Sequence, residues 1–153
     1  MTPLFHLKYT VDIDQLLLEA SEAKEKAVAY SDSRYPKLEM NDWLVAQYNS
    51  KYIQEIMDDF NVVGKPRFYW LKPHATIPTH VDNGTLCGLN FILTEEASPI
   101  TFNNIDFYYK SILVNTTLPH SVQNNEKERI MLKISIFSET FDEVAEKNKK
   151  FLL

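Results

Sequence analysis

Arg129-Ile130-Met131-Leu132-Lys133-Ile134-Ser135-Ile136-Phe137 closes the β-rich region of this chain, and its alternation decides the fold. A strand turns successive side chains to opposite faces. Ile130, Leu132, Ile134 and Ile136 then form one continuous apolar face, suited to packing under helices. Arg129, Met131, Lys133, Ser135 and Phe137 form the other. A face that mixes arginine, lysine and serine with apolar residues suits a barrel interior that holds something polar.

Working back from this strand, residues 67–72, 76–81, 86–93, 100–102, 107–109, 111–114 and 120–123 are short runs rich in β-branched and aromatic side chains. Turn residues separate them, among them Asp82-Asn83-Gly84, Asn103-Asn104 and the stretch 116–119. Short strands at this spacing suggest a sandwich or a barrel-like jelly roll. Residues 1–65 read as helical. Asp12 with Gln15 resembles an N-cap and its reciprocal partner, and Leu16, Leu17, Ala20, Ala23, Ala27 and Tyr30 follow at helical spacing. The stretch 31–37, ending in Tyr35-Pro36, breaks the pattern. A second helix is expected from Asn41 or Asp42, with Leu44, Tyr48, Tyr52, Ile56 and Phe60 as its apolar stripe and Gly64-Lys65-Pro66 as its end. Thr140-Phe141-Asp142-Glu143 is a capping box for a closing helix that runs to about Lys149. Helices followed by strands predict a single α+β domain over residues 1–153. Within it, residues 1–65 form a helical segment, residues 66–138 a β core and residues 139–153 a C-terminal helix.

The length of 153 residues suits one domain with a real core. A net charge of −5 supplies no basic field for nucleic acid. No apolar run reaches the ~18–20 residues that span a bilayer, and Met1 to Thr10 lack the apolar core of a signal peptide. Cys87 is the only cysteine, so no intrachain disulfide forms and a reducing compartment is the default. The expectation is a soluble, cytoplasmic protein. Lys147, Lys149 and Lys150 read as a solvated helix end.

His80-Val81-Asp82 stands at a predicted strand end, where i, i+2 spacing puts both side chains on one face. His120 opens another predicted strand 40 residues later, and Arg129 follows it by nine. Two imidazoles and a carboxylate can occupy one face of an octahedral iron and leave the other face open. Arg129 is one of three arginines, and its neighbours in the strand are overwhelmingly apolar. A cation in such a place needs an anionic partner. A bound carboxylate would serve, as would a turn acid such as Glu126 or Glu128.

In these residues the chain resembles the Fe(II)- and 2-oxoglutarate-dependent oxygenases, nearest in motif to the aspartyl/asparaginyl and prolyl hydroxylases. The likeness is carried by Thr79-His80-Val81-Asp82, by Leu118-Pro119-His120-Ser121-Val122-Gln123-Asn124 and by Arg129, over about residues 68–137. It implies a double-stranded β-helix, jelly-roll and cupin-like, with the N-terminal helices packed on the major sheet. It implies that His80, Asp82 and His120 hold Fe(II), and that Arg129 pairs with the distal carboxylate of 2-oxoglutarate, with O2 as the third reactant. Lys133 is the alternative anchor. Val122, two past His120, should face the cosubstrate. Asn90, which interrupts an apolar strand, and Tyr69, on the first strand, are further candidates for cosubstrate binding, each with a structural role as the alternative. The implied reaction hydroxylates an unactivated C–H bond on an Asp, Asn or Pro side chain of a protein or peptide, or on a small molecule. Two other readings stay open: a cupin-type dioxygenase or isomerase that does not use 2-oxoglutarate, and a non-catalytic β-barrel binding module. His74 is read as a rim residue, His6 as structural and Cys87 as a buried small hydrophobe.

Overall fold

The computed structural model describes residues 2–30 and 42–153. Among the described residues eleven strands are assigned: β1 (Leu4–His6), β2 (Val28–Ala29), β3 (Trp43–Gln47), β4 (Lys65–Leu71), β5 (Thr76–His80), β6 (Cys87–Ile92), β7 (Ile100–Phe102), β8 (Ile105–Phe107), β9 (Ser111–Val114), β10 (His120–Gln123) and β11 (Arg129–Ile136). Helices α1 (Ile13–Ala23), α2 (Lys51–Phe60) and α3 (Phe141–Lys147) complete the framework. From β4 onward the chain alternates between two antiparallel sheets. The seven-stranded sheet runs β1-β9-β6-β11-β4-β3-β2, and the four-stranded sheet runs β5-β10-β7-β8. This winding is a double-stranded β-helix.

The major sheet carries a core on each face. Phe68, Trp70, Leu89, Phe91, Leu113, Leu132, Ile134 and Ile136 point outward and join Leu16, Ile53, Ile56, Phe60 and Val144 from the three helices. Tyr69, Leu71, Ile92, Ile112, Val114 and Met131 point inward and meet Ile77, Ile100, Phe102 and Val122 of the minor sheet. The parity read in β11 therefore holds. Each fully buried large apolar side chain contributes about 1.5–3 kcal/mol, so both faces stabilise the sheet.

Local signals account for the helix ends. The Asp12 carboxylate accepts from Gln15 N at 3.0 Å, while the Gln15 side chain turns instead to Glu19. Ser50 caps α2, and Asn61 ends it in the left-handed region at φ 52°. The box at Thr140 forms in both directions. Asn103 and Asn104 both take positive φ, which places a two-residue hairpin between β7 and β8. That turn moves the expected strand at 107–109 to Ile105–Phe107.

Three expectations are corrected. Residues 43–47 are the strand β3, paired with β4, and α2 starts only at Lys51. The i+4 step from Leu44 to Tyr48 is coincidental. In Trp43-Leu44-Val45-Ala46-Gln47 the period of two prevails once the edge of β4 offers a ladder. The first helix stops at Ala23, so Ala27 and Tyr30 are not on its stripe; Tyr30 stacks on Trp43 at 3.8 Å. Residues 1–65 are thus mixed, contributing β1, β2 and β3 to the major sheet. The expected break at 31–37 and the helix start at Asn41 lie outside the described residues. Among the described residues, no helix is long and apolar enough to cross a membrane.

Gly64 lets the chain pass β11 closely. A Cβ there would sit 2.7 Å from Ile134 Cγ2 and 2.8 Å from the Ser135 carbonyl oxygen. Gly64→Ala is expected to lower stability by about 1–3 kcal/mol in urea titrations. Burial, helped by Glu139 and Glu143, pushes the Cys87 thiol up to about 12. The native state therefore keeps a proton that the unfolded chain releases from about pH 9. That contribution is complete below pH 9 and is lost as the pH rises toward 12. The stability difference between the protein and Cys87→Ala should shift against the native cysteine over that window.

Candidate metal and anion site

The two sheets enclose a cavity of about 380 Å³, and every candidate residue named from the sequence lines it: Tyr69, His80, Asp82, Asn90, His120, Val122 and Arg129, with Lys133. His80 ends β5 and His120 opens β10, directly opposite in the ladder. Their rings lie 4.5 Å apart. Asp82 follows β5, held by its N–H donating to the Thr116 carbonyl at 3.1 Å. One donor atom from each of the three lies within 4.8 Å of the others, so the trio could hold a metal ion.

Backbone carbonyls orient both rings. His80 Nδ1 lies 2.8 Å from the Pro78 oxygen, and His120 Nδ1 lies 2.7 Å from the Leu118 oxygen. A carbonyl can only accept, so each Nδ1 carries a proton. In the neutral rings the Nε2 atoms then present lone pairs. Both face Asp82 Oδ1, at 3.4 Å and 3.2 Å. Three acceptors converging on one point repel unless a cation lies between them, which is the donor arrangement a metal requires. The other carboxylate oxygen, Oδ2, accepts from Lys133 Nζ. Burial pushes the Asp82 carboxyl up. The Lys133 ammonium outweighs it and holds the group well below the usual carboxylate range. Burial likewise works against the Lys133 ammonium, and Asp82 reverses it, so its pKa is raised.

Arg129 is buried at 4 % exposure without an acidic partner among the described residues. Its Nη2 donates to the Tyr109 hydroxyl at 3.0 Å and Nη1 to Met131 Sδ at 3.2 Å, while Nε has no partner. Glu128, one of the turn acids considered for it, pairs with Lys24 instead. A buried guanidinium without a counter-charge calls for an anion in the cavity. Asn124 sets where this strand starts. Its Nδ2 lies within hydrogen-bonding reach of the Leu71, Lys72 and Lys127 carbonyls at 3.2, 2.9 and 2.9 Å and so ties the β10–β11 turn to the end of β4.

Val122 is buried against the inner core, and Asn90 is buried with Oδ1 unpaired. His74 is exposed in a turn at φ 62° and His6 is exposed on β1, so neither joins the cavity. Sequence reasoning missed Tyr109 and Arg67, which also line it. Tyr109 has no local signal, because its contact with Arg129 arises only when the sheets close. Arg67 could have been found from register, as it lies opposite Lys133.

No family model and no curated protein matches this sequence. Solved structures do. A prolyl hydroxylase from Trichoplax adhaerens, in complex with a hypoxia inducible factor peptide fragment, aligns over 94% of this chain and 85% of its own, with a TM-score of 0.68 and 12% identity. A Pseudomonas putida prolyl-4-hydroxylase covers 83% and 88%, with a TM-score of 0.61 and 12% identity. The viral collagen prolyl hydroxylase of Paramecium bursaria Chlorella virus-1, in its 2OG complex, covers 82% and 91%, with a TM-score of 0.58 and 14% identity. The chain shares their double-stranded β-helix fold. At this level of identity the likeness is one of architecture, and the chemistry rests on the residues above.

Mn(II) should raise the melting temperature of the protein. At a hundredfold excess over Kd, binding adds about 2.7 kcal/mol, a shift of roughly 5–11 °C. In scanning fluorimetry His120→Ala is expected to abolish that shift, and retention of it would remove His120 from the metal site.

Proposed function

We propose that this protein is an Fe(II)- and 2-oxoglutarate-dependent oxygenase that hydroxylates an unactivated C–H bond. The observation that carries the reading is one cavity holding both halves of the machinery. The His80, Asp82 and His120 acceptors converge on one point, and Arg129 is buried beside them without an acid. The first set suits an iron with open positions, and the second suits a dicarboxylate that reaches across to it.

His80 and His120 would ligate through Nε2, each ring held by its Nδ1–H on a backbone carbonyl, and Asp82 would supply the anionic ligand. With 2-oxoglutarate and O2, the iron would supply the oxidant for the C–H bond, the cosubstrate leaving as succinate and carbon dioxide. Arg129 would clamp the distal carboxylate, its fork oriented by Tyr109. Leu71, Ile77, Ile100, Val122 and Met131 form an apolar part of the cavity wall. An apolar wall strengthens the charge interactions beside it. Asn90 Oδ1, unpaired on the same wall, is placed to accept a hydrogen bond from a bound molecule. Lys133 is engaged by Asp82, which favours Arg129 as the anchor.

For the substrate, the fold neighbours point to a protein or peptide side chain, since one of them is bound to a peptide fragment. Asp, Asn and Pro side chains belong to this class, and a free small molecule is the alternative. A cupin-type enzyme without 2-oxoglutarate would leave Arg129 with no anion to bind.

Anaerobic addition of Fe(II) and 2-oxoglutarate should produce a weak visible charge-transfer band. Arg129→Gln should keep Mn(II) binding but weaken 2-oxoglutarate binding by roughly tenfold or more, the worth of a charge-assisted contact. Equal cosubstrate affinity in the two proteins would falsify the anchor.

A further inference from the structure

The inner face of the major sheet carries a polar row of which the metal and cosubstrate positions account for only part. Gln47 on β3 pairs with Arg67 on β4, Arg67 with Lys133 on β11, and Lys133 with Asn90 on β6. These four side chains share one pleat row and all line the cavity. Arg67 is the unexplained member. Its Nη2 donates to Ser135 Oγ at 3.2 Å, and its Nε is buried with no partner. No acidic residue among those described pairs with it.

The charge balance points the same way. Lys65, Arg67, Arg129 and Lys133 line the cavity, and Asp82 is the only acidic residue among the described lining. Asp82 offsets one of the four cations. Fe(II) and the dianion 2-oxoglutarate would offset each other. Three cationic side chains then remain without a counter-charge: Lys65 is exposed, Arg67 half-buried and Arg129 buried. The cosubstrate's distal carboxylate would contact Arg129, but its charge is already counted against the iron, so the surplus of positive charge in the lining stands. Arg67 therefore lines the cavity half-buried, with a buried Nε that no residue among those described satisfies and no acid to balance it.

We propose that the cavity selects a substrate bearing a carboxylate, gripped by Arg67 with Lys133 beside it. This rests on the oxygenase reading above and narrows its substrate. Of the side chains considered there, aspartate fits and asparagine and proline do not. A free carboxylic acid small enough for the cavity fits equally. The guanidinium fork offers two parallel donors to a carboxylate, and Gln47 and Asn90 at the ends of the row supply amide groups for the rest of the molecule. Thr85, Asn83 and Phe137 also line the cavity.

The test uses the full chain preloaded with Mn(II) and excess N-oxalylglycine, which fills the cosubstrate position. Calorimetry then compares matched acids and amides: N-acetyl-aspartic acid α-amide against N-acetyl-asparagine amide, and glutarate against glutaramide, with inorganic phosphate as a further arm. At least one acid should bind roughly tenfold or more tightly than its amide, as a charge-assisted bidentate contact implies. Arg67→Gln should erase that preference while its affinity for N-oxalylglycine stays unchanged, and Arg67→Lys should restore some of it. Equal binding of acid and amide, or an acid preference that survives in Arg67→Gln, overturns the proposal. A preference for phosphate over every carboxylate overturns it in favour of a phosphorylated substrate. Failure of N-oxalylglycine to bind the unmodified protein instead defeats the oxygenase reading, and this inference with it.

Discussion

Strand β11 is the element on which the rest of the structure depends, because it is hydrogen-bonded on both edges and buried on both faces. It pairs with β4 along one side and β6 along the other. Its outward residues, Leu132, Ile134 and Ile136, lie at the centre of the helix-covered core. Its inward residues, Arg129, Met131, Lys133 and Ser135, lie along the cavity side. A slip of one residue would exchange the two sets, driving Arg129 and Lys133 into hydrocarbon and isoleucines into the site. Register here is therefore enforced from both faces. The cations of the site are placed by the same apolar packing that holds the sheet together.

This explains why so much is legible in the sequence. Residues whose position follows from alternation within one strand can be read directly: the two faces of β11, the burial of Val122, the shared face of His80 and Asp82. Caps written in local chemistry are legible too, as at Thr140 and Asp12. What fails depends on partners distant in sequence. Trp43 to Gln47 has helical spacing toward Tyr48 and also strand alternation, and only the free edge of β4 decides between them. Tyr109 meets Arg129 across 20 residues and two strands, so nothing in its neighbourhood announces the contact. Arg67 gains its meaning from lying opposite Lys133, a fact of register and not of composition.

The positions of Arg129 and Asp82 differ in kind, and this separates the two halves of the site. Asp82 sits in a loop, yet Lys133 neutralises one of its oxygens and the Thr116 carbonyl holds its backbone. It can remain ionised without a metal. Arg129 has only a phenol and a thioether, both weak partners for a buried cation. The protein thus tolerates metal loss at the carboxylate better than it tolerates an empty anion position at the arginine.

The two histidines show how little machinery the metal position needs. Each ring bonds the carbonyl of the residue two before it, Pro78 for His80 and Leu118 for His120. That contact is local, so the ring direction and the protonated nitrogen are set as soon as each strand end forms. Closing the ladder between β5 and β10 then brings the two Nε2 atoms to the same carboxylate oxygen. The repulsion among these acceptors is imposed by a fold stabilised elsewhere, chiefly by the two apolar cores. A divalent cation placed among the three acceptors would relieve it.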